Sequence, residues 1–303
     1  MTGLHPLGLI TDANTAAAPA VSFEFFPPKT EKMADQLWEA IRRLEPLAPR
    51  FVSVTYGAGG TTRERTHTTV VRILEETSLV PAAHLTCVGA SRSEVDAIAH
   101  EYWQAGVRHI VALRGDPPKD VKNFTPHPDS YQNSVELIAG LRRIAAFEIS
   151  AAAYPEVHAD APSPAAAIDF LKRKVDAGAN RLITQLFFDI DNYLRWLDRV
   201  RAAGITIPIV PGIMPVTNFA AARGFCEAIG ARVPGWLSRL FEGLEQDAET
   251  RKLVGATIAA EQCRRLQAAG IGEFHFYTLN RADLTYAISH ILGLRPIVQK
   301  ANS

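Results

Sequence analysis

Cysteine is scarce in this chain and widely scattered. Cys87, Cys226 and Cys263 are the three among 303 residues, an odd number without a CxxC pair, so neither a disulfide framework nor a thiolate metal site is expected. An excess of charge of either sign is also missing. The 32 Lys and Arg residues balance 32 Asp and Glu, which leaves no overall field to gather nucleic acid or anionic lipid. No apolar run approaches the roughly 20 residues a spanning helix needs. The first residues lack a cationic stretch followed by an apolar one, so no secretory signal is expected. Several reactive motifs are absent as well: GxxxxGK[ST], which cradles phosphates; GxSxG, which carries a nucleophilic serine; and HExxH or HxH, which pair histidines on a metal. With 47% hydrophobic and 21% charged residues, the expectation is a globular, cytoplasmic protein with no metal, nucleic-acid or membrane partner.

What is present is an alternation of two hydrophobic periods. β-rich runs fall at 21–25, 51–55, 82–86, 109–113, 148–152, 181–185, 207–210 and 273–277. Between and after them lie amphipathic helical patterns at 31–44, 63–76, 92–104, 134–146, 164–177, 191–203, 218–229, 250–269 and 281–292. Eight strands separated by helices imply parallel pairing with right-handed crossovers, in an open doubly wound sheet or a (β/α)8 barrel. A barrel takes roughly 250 residues. That leaves room for an N-terminal arm over 1–19 and one extra helical insertion at 234–240. No Pro/Gly/Ser-rich linker divides residues 20–303, which are expected to form one domain.

Polar residues gather where the strands end. In a barrel those ends meet at one rim, where barrel enzymes keep their active sites. Along the first strand, alternation puts Ser22, Glu24 and Phe26 on one face and Phe23 and Phe25 on the other. A carboxylate turned into a barrel beside aromatic rings is expected to have its pKa raised, which suits a general acid. The competing reading is a carboxylate paired with Arg114. Gly57-Ala58-Gly59-Gly60-Thr61-Thr62 follows a strand and opens a helix. Thr62 stands where a dinucleotide fingerprint takes Gly or Ala, so a turn that lets a ligand approach the backbone is the favoured reading. His84, His158 and Asp116 are candidates to converge on the rim, but their spacing does not favour a metal. His275 reads as packed inside a strand. Lys172-Arg173-Lys174 reads, on pattern alone, as a solvated helix face.

The same strand ends carry a resemblance. Val21-Ser22-Phe23-Glu24-Phe25-Phe26-Pro27-Pro28, Ser53-Val54-Thr55-Tyr56-Gly57-Ala58, His84-Leu85-Thr86-Cys87 and Ala112-Leu113-Arg114-Gly115-Asp116 are four of its segments. Tyr154-Pro155-Glu156-Val157-His158, Thr184-Gln185-Leu186-Phe187-Phe188-Asp189 and Phe276-Tyr277-Thr278-Leu279-Asn280-Arg281 are the others. Together, over residues 20–296, they resemble bacterial methylenetetrahydrofolate reductases. The resemblance implies a (β/α)8 TIM barrel holding non-covalent FAD. It implies reduction of 5,10-methylenetetrahydrofolate to 5-methyltetrahydrofolate with NADH or NADPH, the two substrates using one flavin face in turn, hydride passing through flavin N5, and the product serving methionine synthesis. Glu24 matches the acid that assists opening of the folate ring, and Asp116 a carboxylate near flavin and pterin. Tyr56, Ala58, His84, Arg114, Gly115, Asp116, Tyr131, Tyr154, His158, Ala161, Arg173 and Lys174 match FAD positions, which reverses the solvated-face reading for two of the basic residues. Thr55 matches a nicotinamide-nucleotide contact, Gln185 an amide shared by both substrates, and Phe225 and Arg281 contacts to the folate.

Some positions depart from the family pattern. Ala167 stands where an Asp near the FAD ribose is usual, Asp169 lying two places along on another helix face. Ala221 stands where some members carry a substrate-touching Gln. Larger relatives add a domain that binds adenosylmethionine, and its feedback is not expected here. A homo-oligomer is expected from the family. Competing readings are another flavin barrel of proline-dehydrogenase type, a folate or flavin carrier, and a metal-dependent barrel hydrolase. The joint presence of Glu24, Asp116 and Gln185 favours the reductase.

Overall fold

The structure, a computed structural model, describes residues 18–57, 62–116, 125, 127–156 and 161–297. Strand and helix alternate as expected: β1 (Ala20–Phe25), α1 (Glu31–Leu44), β2 (Val52–Val54), α2 (Arg63–Glu76), β3 (Pro81–Thr86), α3 (Arg92–Gln104), β4 (His109–Leu113) and α4 (Ser134–Ile144). β5 (Glu148–Ala153), α5 (Pro164–Asp176), β6 (Arg181–Thr184), α6 (Ile190–Ala202), β7 (Ile209–Val210) and β8 (Gly212–Ile213) follow. The chain continues with α7 (Phe219–Ile229), α8 (Gly235–Phe241), α9 (Ala248–Ala268), β9 (Glu273–Tyr277) and α10 (Asp283–Ile291). Among the described residues no helix is long and apolar enough to cross a membrane.

All pairings are parallel, in the order β7-β6-β5-β4-β3-β2-β1-β9-β8. Only Pro211 separates β7 from β8, so the two ends of that order are one broken strand and the sheet curls into a barrel. The expected seventh strand at 207–210 therefore starts later and runs further. Proline has no N–H to give the ladder, so the strand hands its pairing from β6 on one side of Pro211 to β9 on the other. Side chains seal this seam. Gly212 N–H donates to Thr184 Oγ1 at 3.0 Å, and the Tyr277 hydroxyl donates to the Thr184 carbonyl at 2.7 Å. A Cβ on Gly212 would meet that carbonyl and the Tyr277 ring, so the close approach requires glycine.

Local signals explain the elements. Thr30 caps α1 by accepting from Met33 N–H, and Leu37, Ala40, Ile41 and Leu44 form its buried stripe. Ser91 and Glu94 form a reciprocal capping box on α3. Phe23 and Phe25 face outward into the apolar layer between barrel and helices, where Ile41 and Leu37 meet them. Ser22, Glu24, His84, His109, Arg181 and His275 face inward. The insertion expected at 234–240 is α8. The last helix starts at Asp283 rather than at 281, because Leu279 and Asn280 take left-handed conformations with φ of 52° and 54°.

The barrel floor carries buried ion pairs. Arg181 lies between Glu273, 3.5 Å away, and a close contact with Glu148. Its guanidinium sits 5.1 Å from the centre of the Phe51 ring. His109 Nε2 and Ser150 Oγ are 2.8 Å apart, and burial pushes the His109 pKa down to about 4, so this imidazole is neutral at ordinary pH.

Candidate active site

Glu24 stands above that floor, on the inner face of β1. Its side chain is 19% exposed. Oε2 lies 3.4 Å from His84 Nε2 on β3 and 3.4 Å from His275 Nε2 on β9. On its far side His275 Nδ1 is 2.7 Å from Ser22 Oγ. Burial opposes the charge on Glu24, but the two imidazoles outweigh it and hold the carboxyl at about 2. This corrects the expectation of a raised pKa. The aromatic rings of β1 turn outward, and imidazoles fill the partner role for which Arg114 was the candidate. His275 is thus part of the site and not merely packed. Strand alternation puts Glu273, His275 and Tyr277 on one face, and closing the barrel sets β9 beside β1. Applying those two facts together would have found it.

The remaining candidates distribute around the rim. Gly115 follows β4 with φ of +84°, and a Cβ there would lie 2.8 Å from Thr86 Cβ, so this turn requires glycine. Arg114 and Asp116 on either side of it are exposed. Thr55 and Tyr56 are half-buried beyond β2; the Thr55 carbonyl accepts from Thr66 Oγ1 at 2.9 Å. Tyr154 and Gln185 line one hollow together with Glu156 and Ile229. Gln185 Oε1 accepts from Leu186 N–H at 2.9 Å, which leaves its amide donors to other partners. Arg281 lines a second hollow with Thr217, Lys252, Tyr277 and Leu279. Phe225 on α7 is 45% exposed, and Ala161 is half-buried. Ala58 and His158 lie outside the described residues. Tyr131 is buried and its hydroxyl donates to Asp96 on α3 at 2.8 Å, so it braces α3 against α4.

The basic run on α5 divides. Lys172 and Arg173 are exposed, whereas Lys174 is only 4% exposed. Lys174 Nζ donates to the Ala152 carbonyl at 2.7 Å, and no carboxylate accompanies it among the described residues. Burial lowers its pKa to about 8. At the end of β3, Thr86 Oγ1 is buried without a hydrogen-bond partner among the described residues.

The family profile described as methylenetetrahydrofolate reductase matches residues 9–293. The chain is 54% identical over 277 residues to the 5,10-methylenetetrahydrofolate reductase of Salmonella typhimurium, covering 91% of each protein. It is 53% identical to that of Escherichia coli K12, again over 91% of each. It is 33% identical to methylenetetrahydrofolate reductase 2 of Saccharomyces cerevisiae, covering 95% of this chain and 49% of that protein. Among solved structures, a protein from Clostridium thermocellum described as binding two copies of 5-methyl-5,6,7,8-tetrahydrofolic acid superposes with a TM-score of 0.62 at 13% identity, covering 94% of this chain and 97% of that one, a likeness of fold. The chain belongs to the flavin-dependent methylenetetrahydrofolate reductase family, and its activity is the reduction of 5,10-methylenetetrahydrofolate.

Proposed function

We propose that the rim holds non-covalent FAD, that NADH or NADPH and the folate use it in turn, and that Glu24 is the acid of the folate half-reaction. The observation that carries this reading is the inward carboxylate flanked by two imidazoles. The residues present fit the cofactor. Lys174 is a buried cation without a counter-charge among the described residues, suited to a diphosphate, and Arg173 extends from the same helix turn. Thr86 Oγ1 adds an unsatisfied polar atom at the end of β3. When bound, the flavin supplies the hydride transfer that links nicotinamide and folate.

The chain's own residues orient the substrates and handle protons. Opening the methylene bridge turns an amine into a leaving group, and that nitrogen must be protonated as it leaves. Glu24 delivers the proton, and because its carboxyl rests ionised it must first acquire one. Asp116, exposed at the end of β4, accepts hydrogen bonds from the pterin. Gln185 offers an amide that donates and accepts to either substrate. Arg281 and Lys252 face the anionic end of the folate from one hollow. Thr55 serves the nicotinamide nucleotide and Phe225 packs on the bound folate. The product supplies methyl groups for methionine synthesis. The test is spectroscopic: purified protein is expected to be yellow, to bleach anaerobically with NADH or NADPH, and to regain colour with methylenetetrahydrofolate. Colourless protein, or bleaching that the folate does not reverse, would overturn the reading.

A further inference from the structure

We propose that Arg251 is a positioning residue: it pins the lobe formed by α7 and α8 to the barrel, and through α7 it sets where Phe225 meets the folate. This rests on reading Phe225 as a folate contact. The chain leaves the barrel after β8, makes α7 and α8, and returns as α9. Arg251 stands half-buried on the first turn of α9, where departure and return meet. Its Nε donates at 3.3 Å to the carbonyl of Thr217, on the departing segment. Its Nη1 donates at 2.6 Å to the carbonyl of Leu244 and closely meets that of Glu245, both on the returning segment. A guanidinium carries its donors in one rigid plane, so a single side chain fixes three backbone oxygens relative to one another.

Apolar packing holds the lobe together but does not set its angle. Ala222 and Cys226 of α7 and Leu237 and Phe241 of α8 pack with Leu186 and Phe188 in an apolar cluster separate from the main core. Phe219 and Phe241 stack at 5.2 Å between ring centres, which joins the two helices to each other. Such burial is non-directional. Direction comes from polar ties at the two ends of α7. At the far end Arg232 N–H donates to Glu156, beyond β5. At the near end Thr217, which Arg251 holds, directly precedes Asn218, the residue that caps α7 by accepting from Ala221 N–H at 3.1 Å. Gly255, one turn along α9 from Arg251, lets the Val216 carbonyl rest where a Cβ would otherwise sit.

Phe225 lies on α7 between those ties, exposed beside the buried Ala222 and Cys226. Without the guanidinium the near end of α7 is released while Glu156 still holds the far end. The helix then swings about that end and carries Phe225 with it. A displacement of about 1 Å in a substrate-positioning group costs up to about a hundredfold. Arg251 makes no tie to β2, β3, β4 or β5, whose ends carry the residues read as FAD and nicotinamide contacts. The fault is therefore expected in the folate half-reaction.

The experiment is a double-mutant cycle in the FAD-loaded enzyme, followed by anaerobic stopped flow. Arg251→Met keeps most of the stem and removes the donors. The methylenetetrahydrofolate concentration that half-saturates reoxidation is expected to rise about tenfold, with the limiting rate within about threefold of the parent and bleaching by NADH or NADPH unchanged. In a Phe225→Ala background the same substitution is expected to change that concentration by less than about twofold. Arg251→Lys keeps the charge but has one nitrogen to share among the carbonyls. It is expected to fall between the parent and Arg251→Met, and it supplies the reading should Arg251→Met fail to fold. A general loosening of the fold would instead lower FAD content and slow both half-reactions together. Thr217 also lines the hollow with Arg281 and Lys252, so a tenfold loss that persists without Phe225 would mean that Arg251 acts through that wall, and would overturn the proposal. Saturation curves superimposable on the parent's, or equal loss in both half-reactions, would overturn it too. Phe225→Ala alone separates the two failures. Half-saturation as in the parent sinks the reading of Phe225 as a folate contact, whereas a raised value beside an unchanged Arg251→Met curve sinks only the positioning role.

Discussion

The floor and the rim of this barrel are both built from charged residues turned inward, and they differ in the counter-charges they provide. On the floor Arg181 meets two carboxylates, His109 meets Ser150, and Phe51 covers the guanidinium. At the rim Glu24 is ionised between two imidazoles, while Lys174 holds a backbone carbonyl with no carboxylate beside it among the described residues. Pairing on the floor removes reactivity, because a charge with its counter-ion fixed has nothing further to give. Incomplete pairing at the rim leaves free energy to be released on a ligand. Burial alone is therefore a poor marker of function in such a fold; the informative quantity is whether a buried charge has a counter-charge beside it.

Breaking each side tests the contrast. The largest effect is expected at the rim. Glu24→Gln keeps shape and removes the ionisable proton, and general acid catalysis is worth about 10²–10⁴-fold. Reoxidation by the folate should slow at least about a hundredfold, with bleaching by NAD(P)H near normal. Equal loss in both half-reactions would make the residue structural. The same variant carries a pH signature. A carboxyl held at about 2 in the fold against an ordinary 4.5 adds stability that is full above pH 4.5 and is lost as pH falls towards 2. Glu24→Gln should accordingly lose less stability on acidification than the parent.

On the floor, Arg181→Ala takes from Glu273 its nearer counter-ion, leaving Arg50 at 3.9 Å, and from Glu148 its close partner, a change worth at most about 3 kcal/mol. Denaturant melts should show that loss while the ratio of the two half-reaction rates stays put. A changed ratio would mean that floor and rim are not separate. The smallest effect is expected at Lys174. Its ammonium titrates near 8 in the fold against an ordinary 10.5, so the buried charge costs stability in full below pH 8, and stability returns as pH rises towards 10.5. Lys174→Met should raise the melting stability of the apo-protein at pH 7 by about 1 kcal/mol and weaken FAD retention about tenfold, with less salt sensitivity. An apo-protein that unfolds earlier, with FAD held as before, would make this lysine a structural one.

Much of this was readable from residues. The two hydrophobic periods separate strand from helix because the strand's side chains alternate while the helix's recur every three to four places. The polar strand ends then fall on one rim by topology. What stayed hidden depended on closure or on helix rotation. His275 acquires a partner only when β9 is laid beside β1, which no local pattern encodes. The seventh strand, expected at 207–210, continues past Pro211, which is the point where pairing changes sides. Lys174 was grouped with its neighbours as a charge run. Yet Ile168, Leu171 and Lys174 recur three apart, so the buried stripe of α5 carries the lysine inward with it. Sign of charge drew attention away from position on the helix.

The seam at strand seven has a consequence of its own. β7 joins β6 through Leu182–Ile209 and Ile183–Val210, and β8 joins β9 through Gly212–His275 and Ile213–Phe276, so little backbone ladder fastens the hoop there. The clasp is made by Thr184 and Tyr277, whose side chains tie three strands together. Tyr277 also lines the hollow beside Arg281, and its strand carries His275 two places earlier. Whether the hoop stays shut and what outline its mouth presents are settled by the same few atoms. At this one place, drift in sequence cannot reshape the mouth without also loosening the hoop.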